Sequence, residues 1–149
     1  MDNTPVGTLK IVSDGRAIKE ISFFEGEKET VNGDEITTRA VKELEEYFEG
    51  KRKIFDLPIN LEGTPFRKRV WKELCNIPYG ETVSYKYIAD KINCSSARPI
   101  GGANNKNPIV IVIPCHRVVG ADGSLTGYGG GLWRKEVLLE LERNNKEVK

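Results

Sequence analysis

The chain has 149 residues, enough for one domain or two small lobes, with an ordinary globular balance of 38% hydrophobic and 30% charged residues. No apolar run is long enough to cross a bilayer, no signal-peptide pattern opens the sequence, and 3 cysteines with 1 histidine suit neither a disulfide framework nor a zinc set, so the expectation is a metal-free cytoplasmic protein without a membrane span. The net charge of +1 hides a split: residues 1–60 carry 9 Lys/Arg against 13 Asp/Glu (net −4) and residues 61–149 carry 14 against 9 (net +5), so the second half is either suited to a polyanion or an unevenly solvated surface.

Thr8-Leu9-Lys10-Ile11-Val12 and Ala17 to Phe24 read as two strands, and Asp14-Gly15 between them favours a hairpin. From Asp34 to Phe48 the apolar positions Ile36, Ala40, Val41, Leu44, Tyr47 and Phe48 follow helical spacing, and Gly50 stops the run. Lys53 to Pro58 looks like a short edge strand. The first sixty residues therefore read as a small α/β lobe, with the boundary at Asn60-Leu61-Glu62-Gly63 and a second lobe over 61–149.

The second lobe opens with a helix that Thr64 can cap and Pro65 can start, burying Phe66, Val70, Trp71 and Leu74. Cys75 is expected in the core on its apolar side. Two short helices follow, Ser84 to Ile92 and Ala97 to Asn104, joined by Asn93-Cys94-Ser95-Ser96. This is a helix-turn-helix pattern, which serves either plain packing or nucleic-acid reading. Its second helix carries Arg98 near the start and a small-residue face, Gly101-Gly102-Ala103.

Next come five consecutive Ile/Val residues, Ile109 to Ile113, which read as a strand buried on both faces and stopped by Pro114. Cys115, the lone His116 and Arg117 lie where that strand turns. A cysteine there is either a small buried hydrophobe or a nucleophile with a base beside it. A glycine-rich loop over 120–131 lacks the Gly-Lys-Ser/Thr ending of a phosphate-binding loop, so its glycines are better suited to close approach of a flat ligand. A last helix, Leu132 to about Arg143, is expected to bury Trp133, Val137, Leu138 and Leu141.

Pro114-Cys115-His116-Arg117-Val118-Val119 closely resembles the active-site signature of the O6-alkylguanine-DNA alkyltransferases. The resemblance extends over nearly the whole chain, through Pro5-Val6-Gly7-Thr8-Leu9, Phe66 to Trp71, Gly80 to Tyr85, Ala97 to Ala103 and Tyr128 to Leu132, in the same order. It implies a two-lobe α/β (α+β) fold, with a small ribonuclease-H-like N-terminal lobe and a winged-helix-like C-terminal lobe carrying a helix-turn-helix.

It also implies roles. Cys115 would accept the alkyl group, His116 would deprotonate it through a water, and Glu142 would hold the histidine. Asn107 would bridge the reader helix and the active-site turn. Tyr85 would press on the phosphate beside a flipped nucleotide and help protonate the leaving guanine. Arg98 would fill the gap in the base stack, and Ala97, Gly101, Gly102 and Ala103 would face the DNA. Val110 and Tyr128 would line the pocket, where the Gly129 amide and the carbonyls of Cys115 and Val118 would read the guanine edge. Three positions depart from the pattern: Gly129 stands where some members have serine, Val110 replaces a proline, and Pro99 follows Arg98 where alanine is common.

The chemistry implied is displacement at a saturated carbon, giving a thioether that water does not cleave, so the protein would act once, without a cofactor. The partner would be double-stranded DNA containing O6-alkylguanine (O4-alkylthymine less well), met as a monomer from the minor groove and largely independently of sequence. Two rival readings make different demands. A damage-binding module without chemistry would not need Cys115, and a cysteine hydrolase would turn over and ignore Arg98.

Overall fold

The computed structural model describes residues 1–25, 33–125, 128 and 130–146. The N-terminal domain begins with strands β1 (Thr8–Ser13) and β2 (Ile18–Phe24), paired antiparallel with Leu9 opposite Phe23 and Ile11 opposite Ile21. Helix α1 (Glu35–Phe48) packs on them. Asp34 caps it by accepting from the Thr37 amide at 2.8 Å while the Thr37 hydroxyl accepts from the Asp34 amide at 2.9 Å. Its buried stripe is Ala40, Glu43, Leu44 and Tyr47, and Gly50 ends the turn at φ +76°.

The C-terminal domain is helical. Helix α2 (Pro65–Leu74) is capped by Thr64 and buries Val70, Trp71 and Leu74. A two-residue strand, β3 (Val83–Ser84), leads into α3 (Tyr85–Lys91), which Ser84 caps. Asn93, at φ +58°, reverses the chain toward α4 (Arg98–Asn105), completing the helix-turn-helix. Beyond a 3-10 turn at Cys115–Arg117, β4 (Val118–Val119) runs parallel to β3, and α5 (Leu132–Asn145) closes the fold. One continuous apolar core joins the two domains, from Leu9, Ile18 and Leu44 to Val70, Ile88, Ile109 and Leu138. Among the described residues no helix is long and apolar enough to cross a membrane.

Four sequence expectations need correction. Ile109 to Ile113 is not a strand. Ile109 makes one parallel bridge to Ile21, then the chain coils back, with Ile111 at φ +73° and the Ile113 amide donating to the Ile109 carbonyl at 3.0 Å. Ile109, Val110, Ile111 and Ile113 are all buried, so an unbroken apolar run records burial and says nothing of extension. Residues 53–58 form no strand either; only Ile59 bridges Ile18. Cys75 is exposed at the C-cap of α2. On α5, Leu132 and Trp133 are exposed while Arg134, Lys135, Leu138, Leu139 and Glu142 are buried, with Val137 and Leu141 half-buried. The charged heads of Arg134 and Lys135 face inward because they find aromatic rings and carbonyls there.

Candidate active site

The Cys115–Arg117 turn is held from three sides. Asn107 donates to the Ile113 carbonyl at 2.8 Å and accepts the Ile109 amide at 2.9 Å, tying the coiled segment that leads into the cysteine. Asn104, on the last turn of α4, donates to the Cys115 carbonyl at 3.2 Å, so α4 is bonded directly to the turn. Arg117 reaches the Ile77 carbonyl at 2.7 Å.

Glu142 on α5 receives the turn's basic side chains. Its Oε2 lies 2.7 Å from His116 Nε2, 3.0 Å from Arg117 Nη2 and 2.6 Å from the Tyr47 hydroxyl. Its Oε1 accepts from Arg117 Nε at 2.8 Å and from the Gly80 amide at 3.3 Å. Burial alone would raise this carboxyl; His116 and Arg117 more than offset it and hold it far below the ordinary carboxylate range. An ionised carboxylate only accepts, which puts the imidazole proton on Nε2 and leaves Nδ1 as the basic atom. Burial, with Arg117 and Lys135 assisting, keeps the imidazole below its usual value although Glu142 pulls the other way. His116 is thus a buried neutral base whose Nδ1 has no hydrogen-bond partner among the described residues. In particular it makes no direct bond to Cys115.

Cys115 is buried, which pushes its thiol above the usual value. The Asn107 amide, the Tyr128 hydroxyl and the Lys135 ammonium beside it oppose that rise. Lys135 itself is fully buried, its Nζ 5.9 Å from the Tyr85 ring centre and 6.0 Å from that of Tyr128. Burial lowers the ammonium's pKa, and the neighbouring thiol counters this. A cavity of about 550 Å³ is lined by Cys115 together with Phe23, Asn107, Val110, Tyr128 and Arg134. Arg134 lies between the Phe23 and Trp133 rings and donates to the carbonyls of Val6 and Gly130 at 2.9 and 2.7 Å, which fixes the cavity rim to the N-terminal domain.

The expected DNA-facing residues gather on α3 and α4, with one exception. Arg98 is exposed on the first turn of α4, Ala97 is half-buried before it, and Gly102 is open, with nothing within 4 Å of where a Cβ would stand. A Cβ on Gly101 would meet the Tyr85 ring at 4.0 Å, so Tyr85 borders the same face. Ala103 is instead buried, and its carbonyl accepts the Trp71 indole at 2.8 Å: it belongs to the core contact between α2 and α4. Val118 is buried in β4 beside Val83. The Cys115 carbonyl already accepts from Asn104 and from the Val118 amide. Gly129 lies outside the described residues.

Sequence reasoning missed Arg117, Asn104, Lys135 and Tyr47. Lys135 did leave a signal: it stands seven residues before Glu142, two helical turns along the same face. Tyr47 left none, because its contact crosses 95 residues of chain.

Residues 2–61 match the family model for the ribonuclease-like domain of 6-O-methylguanine DNA methyltransferase, and residues 65–144 match that for its DNA binding domain. A methylated-DNA--protein-cysteine methyltransferase of Methanosarcina barkeri is 47% identical over 149 residues, covering 95% of this chain and 94% of that protein. One from Mycobacterium tuberculosis is 45% identical over 148 residues, covering 95% and 90%. A crystal structure of Mycobacterium tuberculosis OGT in complex with DNA superposes with a TM-score of 0.88 at 46% identity, covering 97% of this chain and 91% of that one.

Proposed function

The chain belongs to the 6-O-methylguanine DNA methyltransferase family, and from that premise we propose that it repairs DNA by moving the alkyl group of O6-alkylguanine irreversibly onto Cys115. The observation that carries this reading is the buried Cys115, lining a cavity and followed in the chain by a neutral His116 whose Nε2 is pinned by Glu142.

The thiol proton passes to His116 Nδ1, and since these two groups do not bond directly, one water bridges them. The thiolate forms an S–C bond to the alkyl carbon as the C–O6 bond breaks. The electron pair leaves on guanine, which takes up a proton, with Tyr85 assisting. Asn107, Tyr128 and Lys135 lower the cost of a buried thiolate, and the arising imidazolium is compensated by Glu142. The carboxylate, imidazole and thiol divide the labour as in a hydrolase triad, but displacement at a saturated carbon creates no oxyanion to stabilise.

A nucleotide must leave the duplex to reach Cys115, at a cost of a few kcal/mol. The exposed Arg98 fills the vacated place in the stack, and the bare Gly101-Gly102 surface lets α4 approach the minor groove. Residues 61–149 supply acceptor and DNA surface, and residues 1–60 support them. The protein works as a monomer, and a reducing cytoplasm suits an acceptor that must stay a thiol.

The test is to mix the protein with limiting duplexes containing O6-methylguanine and to record intact and peptide masses. A single methyl gained on the Cys115 peptide, with guanine restored, is expected. Tight lesion binding without methyl gain would leave a damage-binding module, and repeated turnover of an ester a hydrolase.

A further inference from the structure

We propose that Tyr47, on α1 of the N-terminal domain, is a positioning residue that sets the basicity of His116 through Glu142. Tyr47 is fully buried, and its hydroxyl donates at 2.6 Å to Glu142 Oε2, the same oxygen that pairs with His116 Nε2 at 2.7 Å. Its ring is wedged among Phe48, Phe55 and Tyr79, with centroids 5.5, 5.5 and 6.2 Å away, so the hydroxyl has little freedom to swing off that oxygen. The inference rests on the reading of His116 as the base for Cys115.

Three donors share the charge of Oε2: the Tyr47 hydroxyl, His116 Nε2 and, at the longer distance of 3.0 Å, Arg117 Nη2. The Tyr47 hydroxyl draws electron density from the atom that would otherwise stabilise an imidazolium most strongly, and so favours the neutral ring. It also occupies space around Oε2 that, together with Arg117 Nη2, limits where the His116 ring can sit and so where Nδ1 points. The remaining groups that face the pair are Arg117 on the turn, bonded to both Glu142 oxygens; Lys135 on α5, whose charge acts on His116; the Cys115 thiol; and the Tyr79 hydroxyl, buried without a hydrogen-bond partner among the described residues. Of these neighbours only Tyr47 comes from the N-terminal domain, so by this contact α1 reaches the His116–Glu142 pair.

Tyr47→Phe removes the hydroxyl and keeps the ring contacts. His116 is the chain's one histidine, so its ring protons can be followed by NMR without ambiguity. The expected result is a His116 titration midpoint raised by about half a unit to one unit, because the undiluted carboxylate holds the proton better. The acid limb of single-turnover methyl transfer should move to higher pH with it. Tyr79→Phe should leave the midpoint in place. An unmoved midpoint in folded Tyr47→Phe would overturn the proposal. So would a wild-type protein in which the Tyr47 ring signals do not follow the His116 titration, a measurement that needs no variant. A wild-type protein without methyl transfer would sink the repair reading instead, so the two failures are told apart.

Discussion

At Glu142 five hydrogen bonds converge on one carboxylate with no exposed surface, whereas at Arg98, on the same side of the molecule's chemistry, a guanidinium stands in solvent on a helix with a bare glycine surface. In the first region each bond to the carboxylate is made in the free protein, and only His116 Nδ1 and the Tyr79 hydroxyl are buried there without a partner among the described residues, so the orientation of the imidazole is set in the free protein. The second is left open, as the proposed contact with a duplex requires. On that proposal, preorganisation is concentrated at the proposed base and openness at the proposed DNA surface. Substitutions at the dry end should change stability and chemistry together, and those at the wet end should change DNA recognition with at most small changes of stability.

The largest effect is expected from Cys115→Ser, which should abolish methyl transfer while retaining lesion binding, measured by peptide mass and by electrophoretic shift on the same duplex. Glu142→Ala comes next. It strands Arg117 and His116 as buried groups without their acceptor and should destabilise the fold by about 3–5 kcal/mol in denaturant unfolding; a loss below about 1 kcal/mol would mean that the buried network carries little stability.

Acid should act on the same end. The folded-state value of Glu142 is depressed, so its contribution is present above the unfolded carboxyl value of about 4.3 and is lost as pH falls below it. His116 is also depressed, so the unfolded chain takes up a proton first, and stability should begin to fall below about pH 6.5. With a single histidine in the chain, the slope of unfolding free energy between about pH 6.5 and 4.5 reports on His116, and a flat line there would contradict a buried neutral ring.

Arg98→Ala should leave unfolding within about 0.5 kcal/mol of the parent. It should slow methyl transfer from duplex DNA at least several-fold and affect transfer from free O6-alkylguanine much less. Equal losses on both substrates would place Arg98 outside nucleotide extrusion. The smallest effect belongs to Gly102→Ala. Beyond the adjoining backbone of α4 no atom lies within 4 Å of the new methyl, so α4 should gain up to about 1 kcal/mol of helix stability. DNA affinity should nevertheless weaken, by a few-fold in a titration, if this surface meets the groove.

Local pattern determined much of this protein. The capped start of α2 was legible because Thr64 bonds an amide only three residues away. The acceptor turn was legible because Pro114, Cys115 and His116 are contiguous, and Glu142 was found through the resemblance of its helix. What tertiary structure alone decided is everything that depends on a distant partner. Ile109 to Ile113 coils instead of extending because Ile21 and the core offer burial to every one of its buried side chains, and β propensity does not distinguish the two. Lys135 and Arg134 point inward and Trp133 outward because aromatic rings of β2 and α3 and carbonyls from the segment before β1 and the loop before α5 wait inside, which no helical periodicity records. Ala103 turns to Trp71 rather than to the groove for the same reason. Tyr47 became part of the site only when α1 folded against α5, since a hydrogen bond between residues 95 positions apart leaves no trace in the spacing of either.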